Sequence, residues 1–178
     1  KIAKDPNYPK PPGTPTKVSV LDGSILVKAA GRPDRTMPLG GLLRGTVPGL
    51  IQLNSDIAAT GFTGGLVLKG LVPDPLCAGD RYTPDLSVVP DGTSRLVLLQ
   101  SGVVTLTLQL VADPVSLAGC ATPANAQPTT VTLTGKVGDG GLTKLALLGT
   151  LTGVPIAAAV TADVTVNLLV NVDLSGQG

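Results

Sequence analysis

The chain has 178 residues, a length that suits one β-sandwich or barrel. Hydrophobic residues make up 43% of it but aromatic residues only 2%, and 13 Lys and Arg face 12 Asp and Glu, for a net charge of +1. Nucleic-acid binding draws on surplus basic side chains and on aromatic rings that stack on bases, so this composition argues against nucleic acid as a partner.

The sequence contains no histidine. Histidine is the commonest general base, the commonest metal ligand and the usual partner of a nucleophilic Ser or Cys, so its absence removes most catalytic arrangements. No Ser-x-x-Lys spacing occurs, and most aspartates adjoin Gly or Pro, where Asp stabilises turns. We therefore expect neither enzymatic activity nor a cofactor.

A calcium site is the one metal site left open. Ca²⁺ takes several oxygen ligands, and four aspartates fall within one loop-rich stretch, although without EF-hand spacing. These residues are Asp74, Asp80, Asp85 and Asp91.

The chain begins with a proline-rich segment, residues 1–16, which reads KIAKDPNYPKPPGTPT. Proline lacks a backbone donor and favours polyproline II, so we expect an extended arm ahead of a single β-domain, residues 17–178. The arm residues expected to contact a neighbouring subunit are Tyr8, Pro9, Pro11 and Pro12.

Short runs of Val, Leu, Ile and Thr, separated by Gly, Pro and Asp, predict an all-β antiparallel sandwich or barrel of about eight to ten strands. The predicted strands are residues 17–20, 24–28, 46–54, 65–71, 86–89, 94–100, 103–111, 129–137, 142–152 and 157–174. Hairpins are predicted at Asp22-Gly23, at residues 90–93 and at residues 138–141. The predicted connections and turns are residues 32–44, residues 59–64 and Gly40-Gly41, and Leu168-Leu169 predicts a bulge.

Two cysteines, Cys77 and Cys120, fall in long loops that contain prolines, residues 72–85 and 112–128. Two distant thiols do not match the clustered ligands of a zinc site. In an exported protein we expect them to form a disulfide that ties these loops together, and two reduced, buried thiols are the alternative. A start at Lys1 rather than Met suits a mature secreted product, and no apolar run approaches the ~20 residues of a membrane helix. We therefore expect a secreted or cell-surface protein.

The predicted function is that of a structural subunit in an extracellular or cell-envelope filament, sheath or surface layer. The arm would dock on a neighbouring copy and make a homo-oligomer, with the exposed faces of residues 46–53 and 164–174 as acceptors. One alternative is a secreted carrier of an apolar ligand such as a lipid, and another is a protomer of an oligomeric envelope porin. The candidate lining of a lipid site is Leu42, Leu43, Leu50, Ile51, Leu145 and Leu147.

Overall fold

The computed structural model describes residues 13–29, 34–49, 55–68, 72–73, 80–81, 86–90, 92–112, 128–138, 141–157 and 160–174. All regular secondary structure in these segments is β-strand. Outside the described residues lie residues 1–12 of the predicted arm, both cysteines, and Asp74, Asp85 and Asp91 of the open calcium site.

The strands of the described residues are numbered in chain order. They are β1 (Thr14–Ala29), β2 (Arg35–Val47), β3 (Ile57–Leu68), β4 (Val72–Pro73), β5 (Asp80–Arg81), β6 (Leu86–Val88), β7 (Arg95–Leu98), β8 (Val103–Ala112), β9 (Thr129–Lys136), β10 (Leu145–Ala157) and β11 (Val160–Asp173). Residues 14–16, assigned above to the arm, lie in β1, where Thr16 packs inward with 2% of its surface exposed.

Nine of these strands form one antiparallel sheet that closes on itself. From β1 to β11 each strand of the sheet pairs with a neighbour in chain order, and β11 pairs again with β1. β6 and β7 lie end to end in a single position, because each pairs with β3 on one side and with β8 on the other. The result is a closed up-and-down barrel with eight strand positions, and β4 and β5 form a separate two-stranded sheet. Of the two predicted architectures, the barrel is confirmed.

Strict alternation fills the barrel with aliphatic side chains. In β8, Val104, Leu106 and Leu108 are fully buried, while Thr105 and Thr107 between them face outward. All nine strands of the barrel contribute to one hydrophobic cluster. Eight strands enclose a space that side chains alone can fill, and burying each large aliphatic side chain stabilises the fold by about 1.5–3 kcal/mol.

The hairpin predicted at Asp22-Gly23 is wrong, because β1 continues through it. The register of β1 against β11 shifts by one residue between Val20 and Asp22, which makes this site a β-bulge. An Asp-Gly pair suits a bulge as well as a tight turn, and only the long partner strand distinguishes the two. The bulge predicted at Leu168-Leu169 is also wrong, since β11 keeps its alternation there and the extra residue belongs to β1.

Two further glycine-containing segments were wrongly predicted to lie between strands. Most of residues 32–44 belongs to β2, and residues 59–64 belong to β3. In the register of these two strands, Gly41 pairs with Leu66 and Gly64 with Leu43. Glycine within a barrel strand permits sharp bending and close approach of the neighbouring backbone, which explains why these glycines lie in strands rather than in turns.

The connection between β6 and β7 is also not the predicted hairpin, because these strands do not pair with each other. Its residues are fastened to β8 instead. The Val89 N–H donates to the Gln109 carbonyl at 2.9 Å, and the Gln109 N–H donates to Ser94 Oγ at 2.8 Å. The predicted hairpin at residues 138–141 is confirmed, since β9 and β10 pair and the Gly141 N–H donates to the Gly138 carbonyl.

Candidate functional site

The two ends of the barrel differ in the length of their connections. At the end where β1 begins, which we call the arm end, residues 99–102 join β7 to β8 and residues 137–144 join β9 to β10. At the opposite end, residues 69–85, which include β4 and β5, join β3 to β6, and residues 113–128 join β8 to β9. We call this the long-loop end.

The long-loop end is where the sequence places both cysteines. Cys77 belongs to the connection after β3 and Cys120 to the connection after β8. Leu86 at the start of β6 pairs with Leu66 of β3 on one side and with Ala112 of β8 on the other. The first connection therefore returns to the sheet at β6, next to β8, where the second connection leaves the sheet at the same end.

A groove of about 320 Å³ crosses the outer face of three neighbouring strands, β1, β11 and β10. Its lining consists of Asp22, Gly23, Ser24, Ala146, Leu147, Leu148, Asn167, Leu168 and Leu169. We call it the Asp22 groove, because Asp22 is the one charged residue among the described residues that line it.

The bulge in β1 creates one wall of this groove. The extra residue leaves two consecutive side chains, Leu21 and Asp22, exposed on the outside, and Leu21 is 50% exposed. Gly23 then follows on the inner side, where a Cβ would lie 3.0 Å from Leu168 Cδ2 and 3.2 Å from Leu39 Cβ. Glycine lets β1 approach the core closely at this point while its neighbours turn outward.

The strand register arranges the outward side chains of the groove in two rows. In one row, Asn167 pairs with Ser24 on one side and with Leu148 on the other. In the next row, Leu169 pairs with Asp22 and with Ala146. Residues directly opposite across neighbouring strands have Cβ atoms about 4.5–5.5 Å apart, so these six side chains form one continuous patch.

Three polar side chains of this patch have no partner within the described part of the chain. The Asp22 carboxylate, the Ser24 hydroxyl and the Asn167 amide make no hydrogen bond or ion pair there. Beside them, Leu148 is 49% exposed, which makes it one of the two most exposed large hydrophobic side chains described. The groove thus offers hydrogen-bonding groups, one negative charge and an apolar contact.

Next to the groove lies a surface of hydroxyl groups, which we call the threonine face. It comprises the outward threonines of β8, β9 and β10, namely Thr105, Thr107, Thr130, Thr132, Thr134, Thr150 and Thr152. The ladder pairs Thr105 with Thr134 and Thr107 with Thr132, and cross-strand threonine pairs stabilise a sheet. Lys136 is the one charged residue in these three strands.

Few of the residues selected from sequence fall in the described part of the chain. The arm residues Tyr8, Pro9, Pro11 and Pro12 lie outside it, as do Cys77 and Cys120. Of the candidate lipid-site residues, Leu43, Leu145 and Leu147 are buried in the core cluster, and Leu42 is half-buried. Leu50 and Ile51 lie outside the described residues.

The described residues contain no group of three or more His, Cys, Asp or Glu that could hold a metal ion. Of the four loop aspartates considered for calcium, the structure describes only the backbone of Asp80. Asp74, Asp85 and Asp91 lie outside the described residues. Among the residues that the structure describes, no helix is long and apolar enough to cross a membrane. Comparison of the chain with protein-family models, curated proteins and solved structures finds no match.

The sequence did not predict the Asp22 groove. Two of its outward residues, Asn167 and Leu169, do belong to the predicted acceptor 164–174. Asp22 and Gly23 were interpreted as a turn, and Leu148 lies in a predicted strand without any feature that marks it as exposed. The signal that could have identified the groove is the pairing of β1 with β11, which joins the two ends of the chain. Local patterns carry no information about that pairing.

Proposed function

We propose that the protein is a non-enzymatic structural subunit of an extracellular or cell-envelope assembly. In this assembly the N-terminal arm, residues 1–12, docks on a neighbouring copy. The observation that carries the proposal is the division of the barrel into a filled apolar interior and an outer face with little charge. A molecule of this kind offers its partners an outer surface rather than a cavity.

The scarcity of charge on the threonine face favours contact between copies. Dispersed like charges keep proteins apart, whereas uncharged hydroxyl and methyl groups can be covered at a modest desolvation cost. Lys136 lies at the end of β9, so the rest of this face in β8, β9 and β10 is free of charge. The face is therefore suited to burial in an assembly.

Closure of the barrel constrains how the arm would dock. An arm can join another protein by adding a strand to an open sheet edge. In the described barrel every strand position has a neighbour on both sides, so the nine-stranded sheet presents no open edge. A docked arm would therefore lie on the outer face or at one end of a neighbouring barrel.

The packed interior disfavours the two alternatives. A carrier of an apolar ligand needs a cavity, yet Leu43, Leu145 and Leu147 are at most 2% exposed and pack within the core cluster. A porin needs a polar, water-filled interior, and the core cluster is apolar. A structural role requires neither a cavity nor a water-filled interior.

The direct test compares the full chain with a chain that lacks residues 1–12, using negative-stain imaging and sedimentation velocity. The deletion stops short of Thr14, where β1 begins, so it leaves the barrel intact. We expect filaments or larger oligomers from the full chain and their loss in the shortened one. A third chain, with residues 1–12 replaced by Gly and Ser at equal length, should behave like the deletion. Monomers of the full chain at every concentration would refute the proposal.

A further inference from the structure

We infer that the Asp22 groove is the surface that receives the arm of a neighbouring copy, with Lys10 of the arm paired to Asp22 and Tyr8 packed on Leu148. The inference rests on the proposed function and names the acceptor that it requires. The occupant is thus a segment of a second copy of this chain, residues 1–12.

Charge complementarity selects the groove. Residues 1–12 carry Lys1, Lys4 and Lys10 against Asp5, so the arm has a surplus of positive charge. The Asp22 carboxylate is the charge of the groove and makes no ion pair within the described residues. Placing an ammonium group there creates an attractive contact across the interface and guides encounter of the two copies.

The apolar part of the groove matches the one aromatic residue of the arm. Tyr8 is the arm's aromatic side chain, and Leu148 is 49% exposed on the groove surface. A tyrosine ring buries apolar area while its hydroxyl keeps a polar partner, and the unpaired Ser24 and Asn167 supply such partners nearby. When the docked segment takes a strand-like conformation, alternate residues share a side, so Tyr8 and Lys10 can reach the groove together.

The contact residues of the arm lie close in sequence to the barrel that carries them. Lys10 and Tyr8 precede Gly13 by three and five residues, so in an extended chain they can lie about 10 Å and about 17 Å from it. At strand rise, Asp22 lies about 26 Å from Thr14 and about 23 Å from Ala29, the two ends of β1. The arm can therefore reach the groove only of a neighbour whose groove lies beside the start of β1, and not that of a neighbour stacked end to end.

The direction of the arm favours a neighbour over the chain's own groove. Gly13 lies against the end of β2, where a Cβ would meet Thr46 Cγ2 and lie 2.7 Å from the Val47 carbonyl oxygen. Pro11 and Pro12 precede Gly13 in the sequence, and consecutive prolines favour extended backbone over a reversal of the chain. To reach its own Asp22 the chain would have to reverse at this point.

The test is a charge exchange between arm and groove in the full chain, read by sedimentation equilibrium at fixed ionic strength. Asp22→Lys alone and Lys10→Asp alone should each lower the association constant about tenfold, and the two together should restore most of the loss. Leu148→Thr, which imitates the threonine face, should lower it by a similar factor. Asp34→Lys is the matched control, because it makes the same change in net charge at an exposed site outside the groove and should leave association unchanged.

The outcomes separate this inference from the proposed function. If deletion of residues 1–12 abolishes association but Asp22→Lys and Leu148→Thr associate like the unaltered chain, the groove is not the acceptor and the structural role stands. If the single charge variants weaken association and their combination does not recover it, the pairing of Lys10 with Asp22 is wrong. A full chain that is monomeric throughout, including one whose arm folds onto its own groove, overturns both.

Discussion

Phe62 is the one phenylalanine of the chain, and its fully buried ring lies directly over Gly45 of the adjacent strand. A Cβ at Gly45 would lie 2.8–2.9 Å from three atoms of that ring. We expect Gly45→Ala to lower the free energy of unfolding by about 1–3 kcal/mol, because overpacking a closed core displaces its side chains. Urea denaturation measures the change.

The control for this substitution is Gly138→Ala, since a Cβ at Gly138 meets nothing within 4 Å. It should change stability by no more than about 0.5 kcal/mol. Combining Gly45→Ala with Phe62→Leu should cost less than the sum of the two single substitutions, because the smaller side chain leaves space for the new methyl group. Equal stability of the Gly45 and Gly138 variants would show that packing of the Phe62 ring does not require a glycine at position 45.

At the level of elements, hydrogen bonds between β8 and the loop that joins β6 to β7 bridge the interruption between these two strands. Gln109 of β8 stands opposite the interruption, where its N–H donates to Ser94 Oγ instead of to a strand carbonyl. The Gln109 side chain in turn accepts a hydrogen bond from the Thr93 N–H at 3.1 Å. The loop is thereby held on β8, and the barrel stays closed across the gap.

Ser94 is 4% exposed, so its removal leaves the Gln109 N–H without a partner in a water-poor position. We expect Ser94→Ala to cost about 1–3 kcal/mol of stability and to speed exchange of the Gln109 amide hydrogen. Ser101→Ala, at an exposed turn, is the control and should have little effect. Unchanged exchange at Gln109 in the Ser94 variant would contradict the proposed role of the hydroxyl.

The elements also mark the limit of prediction from sequence. β8 and β9 were predicted because their Val, Leu and Thr alternate, and β11 because its polar residues recur at every second position on either side of Leu168-Leu169. Parts of β1, β2 and β3 were missed because the Asp and Gly residues that bend these strands are the same residue types that form turns. What distinguishes a bend from a turn is the partner strand, and β1 pairs with β11 at the far end of the chain. The Asp22 groove depends on that same pairing.

On the scale of the whole molecule, the two long connections at the long-loop end give the predicted disulfide a structural rationale. The first connection ends at β6, the second begins at β8, and these two strands pair, so a bond between Cys77 and Cys120 would link adjacent positions of one barrel end. In an exported protein this bond should add about 4 kcal/mol of stability by restricting the unfolded chain.

Alkylation followed by mass spectrometry tests this prediction on protein from an oxidising compartment. No thiol should react before reduction and two should react afterwards, with a matching drop in thermal stability. A Cys77→Ser and Cys120→Ser double variant should resemble the reduced protein and be insensitive to reductant. Two reactive thiols in the unreduced protein would contradict both the bond and the oxidising location that it implies.

We propose that this barrel acts through its outer surface on copies of itself and not through a ligand held inside. Native mass spectrometry of the purified full chain tests both halves of that claim in one spectrum. We predict species at multiples of the polypeptide mass, with no additional mass bound to any of them. A single polypeptide that carries the mass of one lipid would contradict the account and favour an apolar-ligand carrier.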